Sequence, residues 1–374
     1  MSVGSILLAI LVFSVIIIFH EFGHFIVAKA NHVGVIEFSL GMGPRIVSWA
    51  SDGTKHRLMF FKTTAFFEEH PEFDDHTIYS WKILPFGGSC MMLGEEEDVD
   101  DERSFSRKSV WARMAIIVAG PVFNFILAFL LSLIVIGTIG HDPALVTKLD
   151  PGSAAEEAGL QEGDKILEMG GESIVVNRQL SYYPIFHTLD GSKVHFKVER
   201  NGEEKEFDIA PKLTKQEDGT EKYLFGYYHS APREKDGFWS TLKYSAYEVK
   251  FWIDTTIKSL GLMITGRVSA DQISGPVGIV KQVSDVVEES KPEGMTTVVM
   301  NLMIFAILIS ANLGVMNLIP IPALDGGRLL FLIIELIRRK PLPQKVETYF
   351  NVGGFVVLMG LMVFIMGNDI LKLF

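Results

Sequence analysis

Cysteine is almost missing from these 374 residues, with Cys90 standing alone. A scaffold stapled by disulfides is therefore excluded. Charge is scarce as well, at 21% Asp, Glu, Lys and Arg, where a soluble chain carries about 25%. The shortage is local. Residues 1–20, 114–141, 295–324 and 348–368 contain no Asp, Glu, Lys or Arg. Each stretch is long enough for a helix to cross about 30 Å of hydrocarbon, which excludes an ordinary soluble domain. Surplus positive charge is absent too. A net charge of −11 excludes a nucleic-acid partner.

What the chain does have is apolar length. It predicts four membrane spans, at 4–27, 112–137, 297–319 and 350–367. The first is expected to be a retained span rather than a cleaved leader. No basic stretch precedes the apolar run Ile6–Phe19, and no small-residue cleavage site follows it. Arg103, Arg107, Lys108 and Arg113 precede the second span; Arg338, Arg339, Lys340 and Lys345 lie between the third and fourth. Basic residues at span ends face the cytoplasm. Both clusters agree on one orientation, with residues 141–296 and both termini outside.

Between the spans the pattern changes. Residues 35–93 alternate short apolar and polar pieces, Val35–Leu40, Leu58–Phe61 and Tyr79–Met92, which read as hairpin strands close to the membrane. Irregular backbone at membrane depth needs protein or a wet cavity to cover it. Residues 141–213 read as a small β-rich domain, with strands at Val146–Leu149, Lys165–Met169, Val194–Glu199 and Glu206–Ala210 and a short helix at Ala154–Ala158. Residues 214–296 hold an amphipathic helix, 238–265, lying on the outer membrane surface, then a loop. In that loop Ser274–Ile279 reads either as a tight turn or as a re-entrant, substrate-facing segment. The predicted fold is a polytopic α-helical membrane protein in four parts: 1–140, 141–213, 214–296 and 297–374.

The chemical signal is His-Glu-Phe-Gly-His, residues 20–24. On a helix, i and i+4 share a face, so His20 and His24 present two imidazoles to one metal ion. Glu21 stands next to them, placed to reach an attacking water. Such groups at the end of an apolar span are costly without a partner. Two histidines make an incomplete site, so a third ligand must come from elsewhere. Asp325 is the candidate. It follows the third span in NLIPIPALDGGR, residues 317–328, where Pro320 and Pro322 break the helix and Gly326 and Gly327 permit a sharp turn or close packing. Under the predicted orientation both spans end on the inner side, so His24 and Asp325 can meet. Mixed nitrogen and oxygen ligands favour zinc. Cys90, beside Pro85-Phe86-Gly87-Gly88, reads as a packed residue rather than a ligand.

With these motifs together the chain resembles the site-2-type intramembrane zinc metalloproteases, the peptidases of the M50 type that carry out regulated intramembrane proteolysis. HEFGH resembles the family's metal-binding helix. LPFGGSCMMLGEE, residues 84–96, is similar to its membrane-associated β-loop, with Phe86 and the Ser89-Cys90 pair as departures. AGPVFNF, residues 119–125, resembles its Gly-Pro-x-x-Asn element, and NLIPIPALDGG its second metal motif. Residues 146–171 look like the start of a PDZ domain. The likeness covers most of the chain. Some relatives carry two PDZ domains; this chain has room for one.

The resemblance implies a zinc metalloendopeptidase that cuts within or near transmembrane helices in the bacterial plasma membrane. It implies one zinc ion on His20, His24 and Asp325, and Glu21 as general base. It implies an active site toward the cytoplasmic half and an extracytoplasmic PDZ domain that filters substrates. Substrates would be single-span proteins already cut by another protease, such as anti-sigma factors, or remnant signal peptides. Phe86, Gly87, Gly88, Asn317 and Asn124 become candidate substrate-binding residues. Asn317 either bonds a substrate carbonyl or its own freed backbone. Asn124 either holds the polar pocket together or serves helix packing. The rival readings are a scaffold or transporter with a degenerate site, a soluble-type protease on an anchor, and a metal sensor. None of them needs both Glu21 and a distant Asp325.

Overall fold

The structure is a computed structural model that describes residues 3–73, 75–95, 99–216, 219–267 and 275–371, without the side chains at positions 3, 85, 86 and 344. In chain order it runs α1 (Val3–Ala30), β1 (Val35–Ser51), β2 (His56–Phe60), α2 (Thr64–Glu68), β3 (Ile78–Met92) and α3 (Val110–Ile139). Next come β4 (Lys148–Leu149), α4 (Ala154–Glu157), β5 (Lys165–Met169), β6 (Glu172–Ser173), α5 (Arg178–Phe186), β7 (Val194–Arg200) and β8 (Glu203–Ile209). Then follow β9 (Lys212–Lys215), β10 (Glu221–Leu224), β11 (Tyr227–Tyr228) and α6 (Phe238–Ile264). Last are α7 (Pro276–Ser290), α8 (Met295–Leu318), α9 (Asp325–Arg338) and α10 (Gln344–Leu371). The chain divides into two compact units: residues 1–128 with 268–374, and residues 129–267.

Four helices are long and apolar enough to cross a membrane: Gly4–Ala30, Val110–Ile139, Met295–Leu318 and Lys345–Leu371. They correspond to the four expected spans. Large apolar side chains stand exposed along them, among them Leu11, Ile134, Val357 and Phe364. Such a surface is stable only against lipid. The chain is a polytopic membrane protein.

In the first unit the expected hairpin pieces form one three-stranded sheet in the order β2-β1-β3. Its central feature is a doubling back. Phe38 of β1 faces Cys90 on one side and Tyr79 on the other, and Ser39 faces both Ser89 and Ser80. The first half of β1 thus lies between the two arms of β3. Glycine makes the bends: Gly41 has φ 86°, and a Cβ there would lie 2.4 Å from the Leu84 carbonyl oxygen. A cluster of Ala28, Val33, Val35, Cys90, Met92 and Ile116 fastens the sheet to α1 and α3. Ala9, Val283 and Phe305 pack α1, α7 and α8 together.

Helix α7 corrects the sequence reading. Ser274 lies outside the described residues, but Pro276–Ile279 are not a tight turn: they open a 15-residue helix. Gly275 caps α7 and Pro276 opens it, where the missing N–H costs nothing. Asp369 of α10 accepts from the Gly278 N–H at 2.8 Å, a carboxylate at a helix N-terminus. Lys281, Asp285, Glu288 and Glu289 masked the helix as loop.

In the second unit β6-β5-β7-β8 form a four-stranded antiparallel sheet. It closes with α4 and α5 over a cluster running from Ala144 to Phe225 and including Ile166, Phe196 and Val198. The expected end near Leu213 is therefore too early, since Phe225 is buried in this cluster and β11 pairs with β4. The polar strands β9 and β10, rich in Lys and Glu, hid that extension. Buried Asp164 receives two bonds from Arg200, both 2.6 Å, locking the turn before β5 to the end of β7. The amphipathic helix expected at 238–265 is α6. Its Phe251 and Trp252 pack on Tyr182 of α5.

Candidate metal centre

Three elements of the first unit build the site. α1 carries His20, Glu21 and His24 near its C-terminal end. α3 passes alongside at Ala119–Asn124. α9 begins at Asp325, after a break enforced by Pro320 and Pro322. Ala323 in that break has φ 65°, a left-handed conformation costly for a residue with a Cβ. The break folds back over the first turn of α9. A Cβ on Gly326 would lie 2.1 Å from the Ile319 carbonyl oxygen, and one on Gly327 2.5 Å from that of Ile321. The paired glycines therefore serve close packing, and that packing aims Asp325.

The donor atoms converge. His20 Nε2 and His24 Nε2 are 3.1 Å apart. Asp325 Oδ2 lies 3.1 Å from the first and 3.4 Å from the second. Ligands bound at 2.0–2.1 Å around a tetrahedral zinc are separated by about 3.3 Å. Asp325 Oδ2 is buried and has no hydrogen-bond partner. An orphaned carboxylate oxygen facing two imidazole nitrogens is costly unless a cation stands among them. Zinc fits this donor set.

The neighbours of the histidines fit the same reading. His24 Nδ1 donates to the Ile116 carbonyl at 2.8 Å, which leaves Nε2 free to ligate. Pro121 lies within α3 at this level and removes one rung of its ladder. His20 Nδ1 lies 3.1 Å from Asn124 Nδ2, while Asn124 Oδ1 is buried without a partner. Turning the amide over brings Oδ1 to His20 Nδ1–H, the orientation a ligating His20 requires. Ser310 of α8 holds the Asn124 carbonyl at 2.8 Å. Gly120 is the contact surface for both rings: a Cβ there would sit 2.3 Å from His24 Nε2 and 2.7 Å from His20 Cε1.

A cavity of about 490 Å³ opens from the centre. Its lining includes Glu21, Ser89, Met91, Ile117, Glu95 and Arg328. The Cys90 backbone N–H sits beside the Glu21 carboxylate. Gly88 lies against Glu21, where a Cβ would come within 3.2 Å of its Cγ. Arg328 pairs with Glu95 at the wall. Cys90 is packed, as expected of it, and burial, with Glu21 and Glu95 beside it, holds its thiol well above the usual range. A neutral thiol is a poor ligand.

The structure brings His20, His24 and Asp325 together, with Glu21 on the same cavity. The expected substrate-binding residues are scattered. Asn124 is fully buried behind His20 and does not line the cavity. Asn317 is half-buried in the last turn of α8 and is also outside the lining. Gly87, with φ 81°, makes the bend of β3 against Met42. The side chain of Phe86 lies outside the described ones. The cavity wall is instead the second arm of β3, Ser89 to Met92, with Leu93. These residues lie inside the 84–96 segment that resembles the family's β-loop, just after Phe86, Gly87 and Gly88, the candidates named from it.

Comparison with known proteins agrees with this chemistry. Residues 8–361 match peptidase family M50. A protein of Clostridium acetobutylicum assigned by name to the zinc metalloproteases is 35% identical over 372 residues, covering 99% of this chain and 98% of its own. The regulator of sigma-W protease RasP of Bacillus subtilis is 30% identical, and the alignment covers both chains fully. The zinc metalloprotease RasP of Geobacillus kaustophilus is 29% identical over 100% of this chain and 99% of its own. Match and relatives span nearly the whole length, and the chain belongs to peptidase family M50 as a zinc metalloprotease.

Proposed function

We propose that this protein hydrolyses peptide bonds in or next to the transmembrane segments of single-span membrane proteins. The observation that supports it most directly is the meeting of His20, His24 and Asp325 within 3.4 Å, with Glu21 on the same cavity. His20, His24 and Asp325 would hold one zinc ion. When bound, zinc supplies a Lewis acid for the scissile carbonyl and lowers the pKa of the attacking water. Glu21 accepts that water's proton on its carboxylate and returns it to the leaving amine. The burial of the histidines keeps bulk water from competing with the substrate.

A transmembrane helix hides its scissile bond in its own hydrogen-bond ladder, so it must unwind first. Among the described residues, the second arm of β3 has only β1 as a strand neighbour. Its other edge lines the cavity. Unwound substrate adds there as a strand, through backbone bonds that tolerate many sequences. In this reading Gly88, packed against Glu21, keeps that approach clear.

The same reading places the protein in a bacterial plasma membrane. The β-rich unit acts as an extracytoplasmic PDZ domain that screens substrates, and the metal centre lies toward the cytoplasmic half. The B. subtilis relative is named for regulating sigma-W. We extend this to anti-sigma factors already trimmed by another protease, and to remnant signal peptides. The test is cleavage of a single-span reporter by the full chain in lipid nanodiscs. Glu21→Gln should keep its zinc and lose cleavage by about 10²-fold or more. Equal cleavage by both proteins would overturn the mechanism.

A further inference from the structure

The second unit holds another convergence of metal-ligating side chains, unrelated to the His20 centre. His141 follows Gly140 directly after α3. Its backbone exchanges two hydrogen bonds with Glu234, N–H to carbonyl in both directions, each 3.0 Å. That bridge sets Glu234 and Asp236 beside the imidazole. His141 Nε2 lies 3.9 Å from Glu234 Oε2 and 3.8 Å from Asp236 Oδ2. These ligand atoms all lie within 4.8 Å of one another.

The histidine points to a missing ligand. Its side chain is only 4% exposed, and its ring stacks flat on Tyr244 of α6, with centroids 3.6 Å apart at 11°. Among the described residues its ring has the Glu234 backbone beside it as a hydrogen-bond partner and no side-chain hydrogen bond. The distances to the carboxylates are too long for one. A buried imidazole nitrogen aimed between two carboxylates, with a gap on both sides, leaves room for a bridging cation. Bound at 2.0–2.2 Å, three such ligands stand about 3.3–3.6 Å apart. Each carboxylate oxygen needs to approach the imidazole by a few tenths of an ångström. Both can, because Glu234 and Asp236 are 51% and 54% exposed, whereas the imidazole is held. Arg233 does not compete for them, being paired with Asp142 at 2.9 Å.

We propose that His141, Glu234 and Asp236 form a second divalent-cation site, suited to zinc. One imidazole with two carboxylates is a borderline donor set, and three protein ligands leave positions open to water. The site ties the end of α3 to the segment that leads into α6, through Tyr244. Its role is to staple this corner of the second unit, not to cut peptides.

The test uses the full chain in detergent, stripped of metal and titrated with zinc. Wild type should take up two equivalents. Glu234→Gln/Asp236→Asn, which keeps the backbone bridge and the Tyr244 stack, should take up one. Zinc should also slow amide hydrogen exchange in residues 139–142 and 231–238 of wild type, and leave those segments of the double variant unchanged. One equivalent in wild type, two in the double variant, or equal protection in both would overturn the proposal. His20→Ala removes the other centre as a control: it should lower uptake to one equivalent with the 231–238 protection intact. Loss of that protection would mean that the two ions are not independent.

Discussion

Gly120 shows how a single missing methyl permits a metal centre. Glycine within a helix costs about 0.5–1 kcal/mol relative to alanine, yet here it leaves space for two imidazoles. Gly120→Ala should therefore strengthen α3 locally and weaken the centre. We expect zinc affinity and cleavage to fall about 10–100-fold, with the helix content of the chain unchanged by circular dichroism. Full zinc occupancy in that variant would contradict the packing. Asn124 acts on the same histidine from behind. Asn124→Asp retains an acceptor for His20 Nδ1–H, while Asn124→Leu removes it. Metal content should follow the order wild type, Asp, Leu, with the Leu variant weakened about 10–100-fold.

Among the elements, the sheet of the first unit carries a buried charge that makes it acid-sensitive. Glu37 of β1 is nearly fully enclosed and accepts two bonds from Arg45, at 2.8 and 3.0 Å, with Lys82 at 3.3 Å. Burial raises its pKa, but Arg45, Ser80 and Lys82 together outweigh burial and hold it below the ordinary value of 4.5. A carboxyl with a depressed folded pKa stabilises fully above its unfolded value and loses that contribution as pH falls through the folded one. The sheet should therefore loosen below pH 4.5, read by the fluorescence of Trp49 and Trp81, which sit on it. Glu37→Gln should flatten this acid transition while lowering stability at neutral pH by about 3–5 kcal/mol, because Arg45 loses its partner. An unchanged acid profile in Glu37→Gln would reject the assignment. α9 shows a different dependence on context. The Leu324-Asp325-Gly326-Gly327 run is a turn by local chemistry, but close packing on the Ile319 and Ile321 carbonyls makes it the first turn of a helix.

At the scale of the whole molecule, the two units rest on different solvents. The first unit turns much of its apolar surface outward, and α10 has none of its span window buried. The second unit has a closed cluster of its own between Ala144 and Phe225. A fragment of residues 141–231 should therefore fold in water without lipid, with a cooperative thermal transition. Phe196→Ala, at a fully buried position, should cost it about 3–5 kcal/mol. A fragment that melts without cooperativity would show that this cluster depends on the rest of the chain.

Residue order alone specifies the four spans, because hydrocarbon selects for uncharged length and nothing else in the chain mimics it. It determined the His20-Glu21-His24 face, because helical period alone puts two imidazoles together. It also singled out Asp325, because the prolines after α8 leave a carboxylate at the end of an apolar run. What surrounds them comes from long-range packing. Gly120 and Asn124 meet the histidines from a helix about a hundred residues away in sequence, and no local pattern encodes which face of α3 turns inward. α7 was hidden for a related reason: its charges look like loop until Val283 is seen buried against Ala9 and Phe305. The wall of the cleft likewise belongs to the pairing of β1 with both arms of β3. That register comes from glycine bends and long-range backbone bonds, which composition cannot express.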